Sequence, residues 1–227
     1  MFLISIGTDR KIFEEGSPVR NRQVEYGSLF DTTHIVVWNE RNKGEFGLIN
    51  ISKNVFVHPT NSKNKLFYIF DTLKIVGSIF KKAVGKKSDF VVTTQDPFEG
   101  GLIGVICKIL FGSHLHVQLH TDFANKYFLE HSFLNKLRFL IAQIVLPFAD
   151  SVRCVSLKAA SGVAGLSKSF SILPIRQEFG IPHYTKKTEF KGRILMVCRL
   201  ESEKNIETAI RAFSMICEDF KEATFTI

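Results

Sequence analysis

The fold of this chain is decided by one stretch of its sequence, FVVTTQDPFEGGLIGVICKILFGSHLHVQL, residues 90–119. Phe90–Thr94 is a short apolar run that predicts a strand, and Leu115–Leu119 predicts a second one. Between them, Pro97–Phe111 is apolar on most faces and predicts a buried helix. A strand, a buried helix and another strand in succession are typical of a parallel sheet that helices cover on both faces.

The same alternation continues on both sides of this stretch. Amphipathic periodicity predicts one helix over 66–84 and another over about 131–148. The pattern therefore predicts an α/β fold with a doubly wound, Rossmann-like parallel sheet, in which ligands bind beyond the carboxyl ends of the strands. The further strands are predicted at Phe2–Ile6, Thr33–Trp38, Asn54–His58, Ser151–Val155 and Phe170–Leu173.

A second, smaller unit is predicted after residues 180–188, a polar stretch with Gly and Pro that is typical of a linker. Arg193–Cys198 and Ala223–Ile227 predict strands, and an apolar stripe over 206–220 predicts a helix between them. One such unit cannot bury both faces of a sheet, so we expect it to be the start of an incomplete second Rossmann-like domain. The predicted organisation is a first domain over 1–178, a linker over 179–190 and the second unit over 191–227.

Composition limits the possible partners only loosely. The chain has 30 Lys and Arg against 22 Asp and Glu, a formal charge of +8. Such a surplus suits phosphate-bearing ligands, anionic membranes or nucleic acid, and it equally fits a solvated surface with no ligand. The four cysteines lie in apolar runs without metal-ligand spacing, which predicts buried free thiols in a reducing compartment. No secretory signal and no run of ~18 apolar residues is evident, so we expect a cytoplasmic protein.

Two common phosphate-binding motifs are absent. Gly7–Arg10 follows the first strand, where a dinucleotide-binding protein would have Gly-x-Gly-x-x-Gly. Gly85–Ser88 resembles the end of a P-loop, but Phe80 replaces the leading glycine and the segment follows a helix instead of a strand. The sequence therefore disfavours a dehydrogenase and a P-loop nucleotidase.

Polar residues follow the predicted strands, where a parallel sheet presents its binding groups. His120 comes directly after Leu115–Leu119 and Asp122 lies just beyond it. The imidazole could hydrogen-bond a sugar or accept a hydroxyl proton, or it could cap the strand, and position alone does not choose between these roles. Asp96 is expected to cap the following helix with Pro97 and Glu99, and binding of a hydroxyl-rich ligand is the alternative.

Two loops carry further candidates. Gly16 follows the first strand after a polar stretch, and a glycine there permits close backbone approach to a ligand or belongs to an ordinary turn. Arg199 and Lys204 lie between the strand and helix of the second unit, where two cations and free helix amides form an anion site. A solvated turn is the alternative, because Glu201 and Glu203 could pair with these cations.

Residues 193–205, RILMVCRLESEKN, resemble the opening of the second domain in family 4-type glycosyltransferases of the GT-B architecture. In that family a strand ends in Gly-Arg-Leu, and an acidic stretch, Lys-Gly and a helix with a terminal Ala-Phe pair follow. Ala212-Phe213 matches the pair, whereas Cys198 and Asn205 stand where the family usually has glycine. In the first domain, residues 117–121 resemble the family's strand that ends in His at the interdomain cleft, residues 149–156 resemble its Ala-Asp, strand, Ser stretch, and Gly16 matches half of a Gly-Gly pair.

The resemblance implies a retaining, hexosyltransferase-type enzyme that moves a sugar from a nucleotide-diphosphate sugar to a glycan or lipid-linked acceptor. It implies no cofactor and no nucleic-acid partner. It also implies chemistry without a metal, because cationic side chains and helix amides would neutralise the departing diphosphate. The resemblance implies that Arg199 and Lys204 bind the diphosphate of the donor. It also implies that His120 is the catalytic residue beside the transferred sugar. Acceptor contacts are predicted for Gly16, Asp96 and Asp122.

Two functions other than transfer are compatible with parts of this sequence. A non-catalytic Rossmann-like module would bind a nucleotide or sugar without turnover. A receiver-like domain needs an acidic cluster at the first strand, and only Asp9 lies near it. Since the family's second domain continues through a nucleotide-binding sheet with a Glu-x7-Glu segment, we expect this chain to be a fragment that is inactive alone.

A peripheral contact with an anionic membrane is also predicted. Lys136 and Arg138 lie beside a strongly apolar helical stretch, and basic residues cluster before the strand at Phe90–Thr94. Such a surface would suit a lipid-linked acceptor, although burial of the helix against the sheet explains its apolar residues equally well. The basic cluster consists of Lys81, Lys82, Lys86 and Lys87.

Overall fold

The computed structural model describes residues 1–83, 89–175 and 192–227, apart from the side chain of Glu203. The chain divides into two compact units, Met1–Ile175 and Arg176–Ile227. The predicted linker over 179–190 and the basic residues Lys86 and Lys87 lie outside the described residues. The resemblance implies that residues 1–178 are an acceptor-binding domain and that residues 191–227 begin a nucleotide-sugar-binding domain, and this assignment stays a prediction.

Unit 1 is built on an eight-stranded sheet with the order β3-β4-β2-β1-β5-β6-β7-β8. Every neighbouring pair is parallel except β3 with β4, which is antiparallel. This confirms the predicted doubly wound, mostly parallel sheet, with one antiparallel edge strand that the sequence analysis did not predict. The strands are β1 (Phe2–Gly7), β2 (Thr32–Val37), β3 (Ile49–Ser52), β4 (Val55–Pro59), β5 (Phe90–Thr94), β6 (His114–Leu119), β7 (Ser151–Cys154) and β8 (Phe170–Ile172).

Helices connect the parallel strands. The helices Tyr68–Lys82 and Phe133–Phe148 agree with the predicted stretches, and a short helix that was not predicted, Lys126–His131, precedes the second of them. The helix after β5 begins at Glu99, two residues later than predicted, because Asp96 accepts from the amide of Phe98 while residues 97 and 98 form a bend. The helices of unit 1 are α1 (Pro18–Gly27), α2 (Tyr68–Lys82), α3 (Glu99–Phe111), α4 (Lys126–His131), α5 (Phe133–Phe148) and α6 (Leu157–Ser161).

The two faces of the sheet are packed differently. On one face, Ile4, Ile6 and Val92 pack under α2 and α3, and a neighbouring cluster joins β6 and β7 to α5. On the other face, Ile35 and Val37 contact residues of β4 and the 3-10 helix that follows β1. The alternation of inward and outward residues along each strand produces this division, since successive side chains point to opposite faces.

Close packing of α3 depends on glycine at position 101. A Cβ built on Gly101 would lie 2.7 Å from the nearer methyl of Val145 on α5 and 3.1 Å from the carbonyl oxygen of Asp96. Both neighbours are held in place, one as a branched core side chain and the other as backbone. By contrast, a Cβ on Gly77 of α2 would meet only the ring edge of Phe111 at 4.0 Å.

We therefore expect Gly101→Ala to destabilise unit 1 by about 1–3 kcal/mol through overpacking. The control is Gly77→Ala, which is expected to be neutral or stabilising by up to about 1 kcal/mol, because alanine loses less backbone entropy in a helix. Urea unfolding followed by circular dichroism measures both changes. Equal midpoints for the two variants would contradict the close approach of α3 to α5.

Unit 2 contains β9 (Arg193–Leu195), α7 (Ile206–Ile216) and β10 (Thr224–Thr226). The two strands pair in parallel, and Phe213 of α7 packs on Phe225 with ring centroids 5.3 Å apart. Both strands are shorter than predicted, since backbone pairing ends before Cys198. Cys198 and Cys217 are only half-buried, which corrects the prediction that all the cysteines are buried; Cys107 and Cys154 are buried.

Candidate active site

The strand order reverses between β1 and β5, and a crevice for ligands is expected beyond the carboxyl ends of these two strands. Gly7 ends β1, and a Cβ built there would lie 2.6 Å from the side-chain amide of Gln95, which follows β5. The amide of Thr8 donates to Oε1 of Gln95 at 3.4 Å. Glycine at position 7 therefore lets Gln95 lie across the switch point.

A cavity of about 380 Å³ opens beside the end of β1. Phe13 and Phe46 stack with their ring centroids 4.1 Å apart and form its apolar wall, and the Arg10 guanidinium lies 5.9 Å from the Phe46 centroid. Nε of Arg10 is buried without a hydrogen-bond partner, although another nitrogen of the group donates to the carbonyl of Lys43. The lining mixes cations and carboxylates with the two rings and consists of Thr8, Asp9, Arg10, Lys11, Phe13, Glu14 and Phe46.

Buried asparagine contacts hold Phe46 in this position. Asn39, just beyond β2, is fully buried and donates to Oδ1 of Asn61 at 2.9 Å and to the carbonyl of Gly44 at 2.7 Å. Asn61 in turn donates to the carbonyl of Phe46 at 2.6 Å. The loops that follow β2 and β4 are thereby tied together, and the wall of the cavity is fixed.

The side chain of Asp96 binds the first amides of α3, as the sequence analysis expected for a helix cap. Its Oδ1 accepts from the amides of Phe98 at 2.8 Å and Gly100 at 3.1 Å. Burial, and then the charge of Glu99, raises the pKa of Asp96. The hydrogen bonds from the two backbone amides and the charge of Arg138 oppose this rise. Glu99 does not close a capping box as expected, because it pairs with Arg138 of α5 at 2.9 Å.

His120 follows β6 directly, and its side chain is exposed at the carboxyl edge of the sheet. Partial desolvation, and then the positive charge of Arg153 on β7, lowers the pKa of His120 below its ordinary 6.5. The ring is therefore neutral at neutral pH and carries a nitrogen lone pair. A neutral imidazole in that place can accept a hydroxyl proton or hydrogen-bond a sugar.

A polar row extends from His120 along the same face of β6. Nδ1 of His116 lies 2.8 Å from Oγ1 of Thr93 on β5, and Gln118 donates to the same hydroxyl at 3.1 Å. Burial, and then Arg153, also lowers the pKa of His116. Because side chains two residues apart on a strand share a face, the sequence of β6 indicates that His116, Gln118 and His120 lie together; only His120 was predicted as a site residue.

Asp122 lies on the loop after β6 and is engaged on two sides. Its Oδ2 accepts from Nδ2 of Asn125 at 3.3 Å and lies 3.8 Å from Nζ of Lys158 on α6. Phe123, the next residue, is fully buried and anchors the loop against the core under α5. The structure thus brings Asp122 and Lys158 together at the carboxyl edge, and Lys158 was not identified from the sequence.

Gly16 has a backbone φ of +72°, a conformation that side chains with a Cβ rarely adopt, and a Cβ built on it would have no neighbour within 4 Å. It precedes Ser17, whose hydroxyl accepts from the amide of Arg20 at 3.2 Å and starts α1. The turn requires glycine for its conformation, and the space beside it is open. Its predicted contact with an acceptor stays a prediction.

Arg199 and Lys204 lie in unit 2 on the connection between β9 and α7. Nη1 of Arg199 is 2.8 Å from Oε1 of Glu201, and both cationic side chains are exposed. Asn205 caps α7 from a left-handed conformation with φ 48°. Asparagine tolerates this conformation better than other non-glycine residues, so it can replace the glycine that is usual in the resembling family.

Two further properties concern the described residues as a whole. Within ranges 1–83, 89–175 and 192–227, no three His, Cys, Asp or Glu side chains come together in a way that could hold a metal ion. No helix in this part of the chain is long and apolar enough to cross a membrane. The prediction of metal-independent chemistry is not tested by this observation.

Solved structures share this doubly wound, Rossmann-like arrangement, which is the GT-B type of fold predicted above. They include a chain of sucrose-phosphate synthase from Thermosynechococcus elongatus with a TM-score of 0.55 at 10% identity, covering 95% of this chain and 99% of that one. Another chain of the same synthase gives a TM-score of 0.66 at 15% identity, covering 95% of this chain and 60% of that one, so this chain spans about three fifths of its length. No family model and no curated protein matches the sequence.

Proposed function

We propose that this chain is part of a retaining GT-B glycosyltransferase that uses a nucleotide-diphosphate sugar. The observation that carries the proposal is the position of His120, a neutral imidazole exposed at the carboxyl end of β6 in a fold shared with a sucrose-phosphate synthase. In open α/β sheets this edge is where ligands bind. Membership of family 4 and transfer of a hexose are part of the proposal.

The roles follow from the chemistry of each residue. The cavity beside β1 receives a hydroxyl-bearing acceptor, with Phe46 as a wall and Arg10 at the polar side; acceptor contacts of Gly16, Asp96 and Asp122 stay predictions. His120 hydrogen-bonds the transferred sugar and orients it toward the acceptor hydroxyl. Arg199 and Lys204 neutralise the departing diphosphate in place of a metal. Arg199 pairs with Glu201 in this structure, so it has to leave that carboxylate to bind the phosphate.

Transfer is tested with a protein that carries this chain together with a complete second domain, using a panel of UDP-, ADP- and GDP-hexoses against sugar, sugar-phosphate and lipid-phosphate acceptors. Mass spectrometry of the products and release of nucleoside diphosphate report turnover. We expect that protein to turn over one donor in the presence of a chelator, and residues 1–227 alone to give no product. Saturable binding of a nucleotide sugar without release of the diphosphate would instead favour the non-catalytic module.

A peripheral membrane contact, which suits a lipid-linked acceptor, is supported by the outer face of α5. This helix buries Ala142, Val145 and Leu146, whereas large apolar side chains on its outer face are exposed. Arg138 is held by Glu99, so Lys136 is the basic residue of α5 that reaches solvent. The exposed stripe consists of Phe133, Leu137, Leu140, Ile144 and Phe148.

We expect the double variant Leu140→Gln/Ile144→Gln to bind anionic vesicles about tenfold more weakly, because two side chains that would enter the lipid become polar. The control is Leu29→Gln, a leucine after α1 that is even more exposed than Leu140 and Ile144, which should leave vesicle binding unchanged. Co-sedimentation with vesicles of increasing phosphatidylglycerol content measures the effect. Sedimentation that does not depend on anionic lipid or on the stripe would exclude the contact.

A further inference from the structure

A second cavity lies on the other side of unit 1 from the candidate active site. It has a volume of about 820 Å³ and opens between the second half of α2 and strands β1, β2 and β4. Clefts of this size that are mostly apolar and carry a few polar groups are typical of small-molecule sites. Its lining includes aromatic, histidine and lysine side chains: Phe2, His34, Phe56, His58, Lys74 and Lys82.

The two faces of the sheet separate this cavity from the cavity beside the end of β1. His34 pairs with Ile4, a member of the cluster under α2, so His34, Phe56 and His58 lie on the face that α2 covers. Phe13 of the other cavity packs against Ile35 and Val57 on the opposite face. The two cavities share no lining residue, so this one does not belong to the candidate active site.

The charge of the lining has one sign. Lys74 and Lys82 are its charged residues, and no Asp or Glu is among the lining residues that the structure describes. Lys74 also reaches Asp71 on its own helix at 3.7 Å, a long and solvent-exposed contact. The floor is apolar, with Phe2, Phe56, Ile75 and Ile79 exposing carbon to the space.

A histidine pair lies between the cations and the apolar floor. Nδ1 of His34 is 3.0 Å from Nε2 of His58, and the His34 ring stacks on Phe56 with centroids 5.2 Å apart. Burial, and then the charges of His34 and Lys82, lowers the pKa of His58 to about 4, and burial also lowers the pKa of His34. Both rings are neutral at neutral pH, so they offer hydrogen bonds without burying an unpaired charge.

We propose that the cavity between α2 and the sheet binds an amphipathic anion, whose acidic head lies at Lys82 and the His34–His58 pair while its apolar body covers Phe2, Phe56 and Ile79. The head is a carboxylate or a phosphate, both of which accept hydrogen bonds from ammonium groups. The apolar body gains binding free energy from the surface that it removes from water. The inference does not rest on the proposed sugar transfer.

The experiment uses the purified chain with decanoate, decyl phosphate and decanol as probes in calorimetric titrations, with NMR of the imidazole protons of His34 and His58. We expect both anions to bind and to shift these imidazole signals, and decanol to bind at least fivefold more weakly. Lys82→Ala should weaken decanoate about fivefold, an ordinary value for one partly exposed charge pair. A tighter complex with decyl phosphate would identify a phosphate head, and the reverse would identify a carboxylate.

Matched variants separate this site from other apolar surfaces. Lys81→Ala removes the neighbouring lysine of α2, which does not line the cavity, and should leave the affinity unchanged. Ser78→Trp places a large ring in the opening from an exposed position and should abolish binding of both anions, while Lys81→Trp should not. Equal affinity for decanol and decanoate, equal loss in Lys81→Ala and Lys82→Ala, or unmoved imidazole signals would each overturn the proposal.

Discussion

In a protein that carries this chain with a complete second domain, replacing His120 by alanine is expected to lower kcat for sugar transfer about 100-fold, within the range that a positioned acid–base or hydrogen-bonding group supplies. The donor KM should change little, since the residues proposed to hold the diphosphate lie in the other unit. The ring lies at the carboxyl edge with a lowered pKa, so it is neutral and available to a hydroxyl at neutral pH. Steady-state kinetics with saturating acceptor measures the two parameters separately.

The same variant tests the charge state that the structure gives to His120. Because its pKa is lowered from 6.5, the neutral form persists at mildly acidic pH, and kcat/KM should fall only once the pH drops below that lowered pKa. This acidic limb should be missing in His120→Ala. His114→Ala, at the opposite end of β6, is the control and should keep both the rate and the limb. An unchanged kcat in His120→Ala would return His120 to capping the strand.

The fold was largely predictable because its central strands are continuous apolar runs. Phe90–Thr94 was predicted with its observed bounds, since residues on both of its faces are buried or nearly so. Helix α1 was missed because PVRNRQVEYG contains few apolar residues, so that the helix is marked only by the cap at Ser17 and by Pro18. Strand β3 was missed because it is a short edge strand with an irregular register against β4.

The candidate site was predictable where a residue adjoins a strand and not where it depends on folded loops. His120 and Asp96 could be placed because each follows a recognisable strand. Arg10 and Phe46 are far apart in the sequence, and they meet only because buried Asn39 fixes the loop between β2 and β3. No local pattern predicts such a contact, because it depends on which loops share the edge of the sheet.

A second large loss of transfer activity is expected from a substitution in unit 2. Lys204→Ala is expected to lower kcat/KM about 100-fold, the loss typical of removing one group that stabilises developing charge. Lys204 ends the 3-10 helix Ser202–Lys204, and Asn205 turns the chain directly into α7, whose first amides point out of the helix start. A cation and free amides on one side of a turn are suited to a diphosphate, whose charge increases as the sugar departs.

The loss should fall mainly on kcat if Lys204 contacts the departing diphosphate, because the leaving group gains charge only as the glycosidic bond breaks. A Lys204→Arg variant keeps the charge and should recover part of the rate. Lys221→Ala, an exposed lysine of the same unit beyond α7, is the matched control and should leave turnover unchanged. The assignment fails if Lys204→Ala and Lys221→Ala are equally active, since a solvated turn would then account for the cation at position 204.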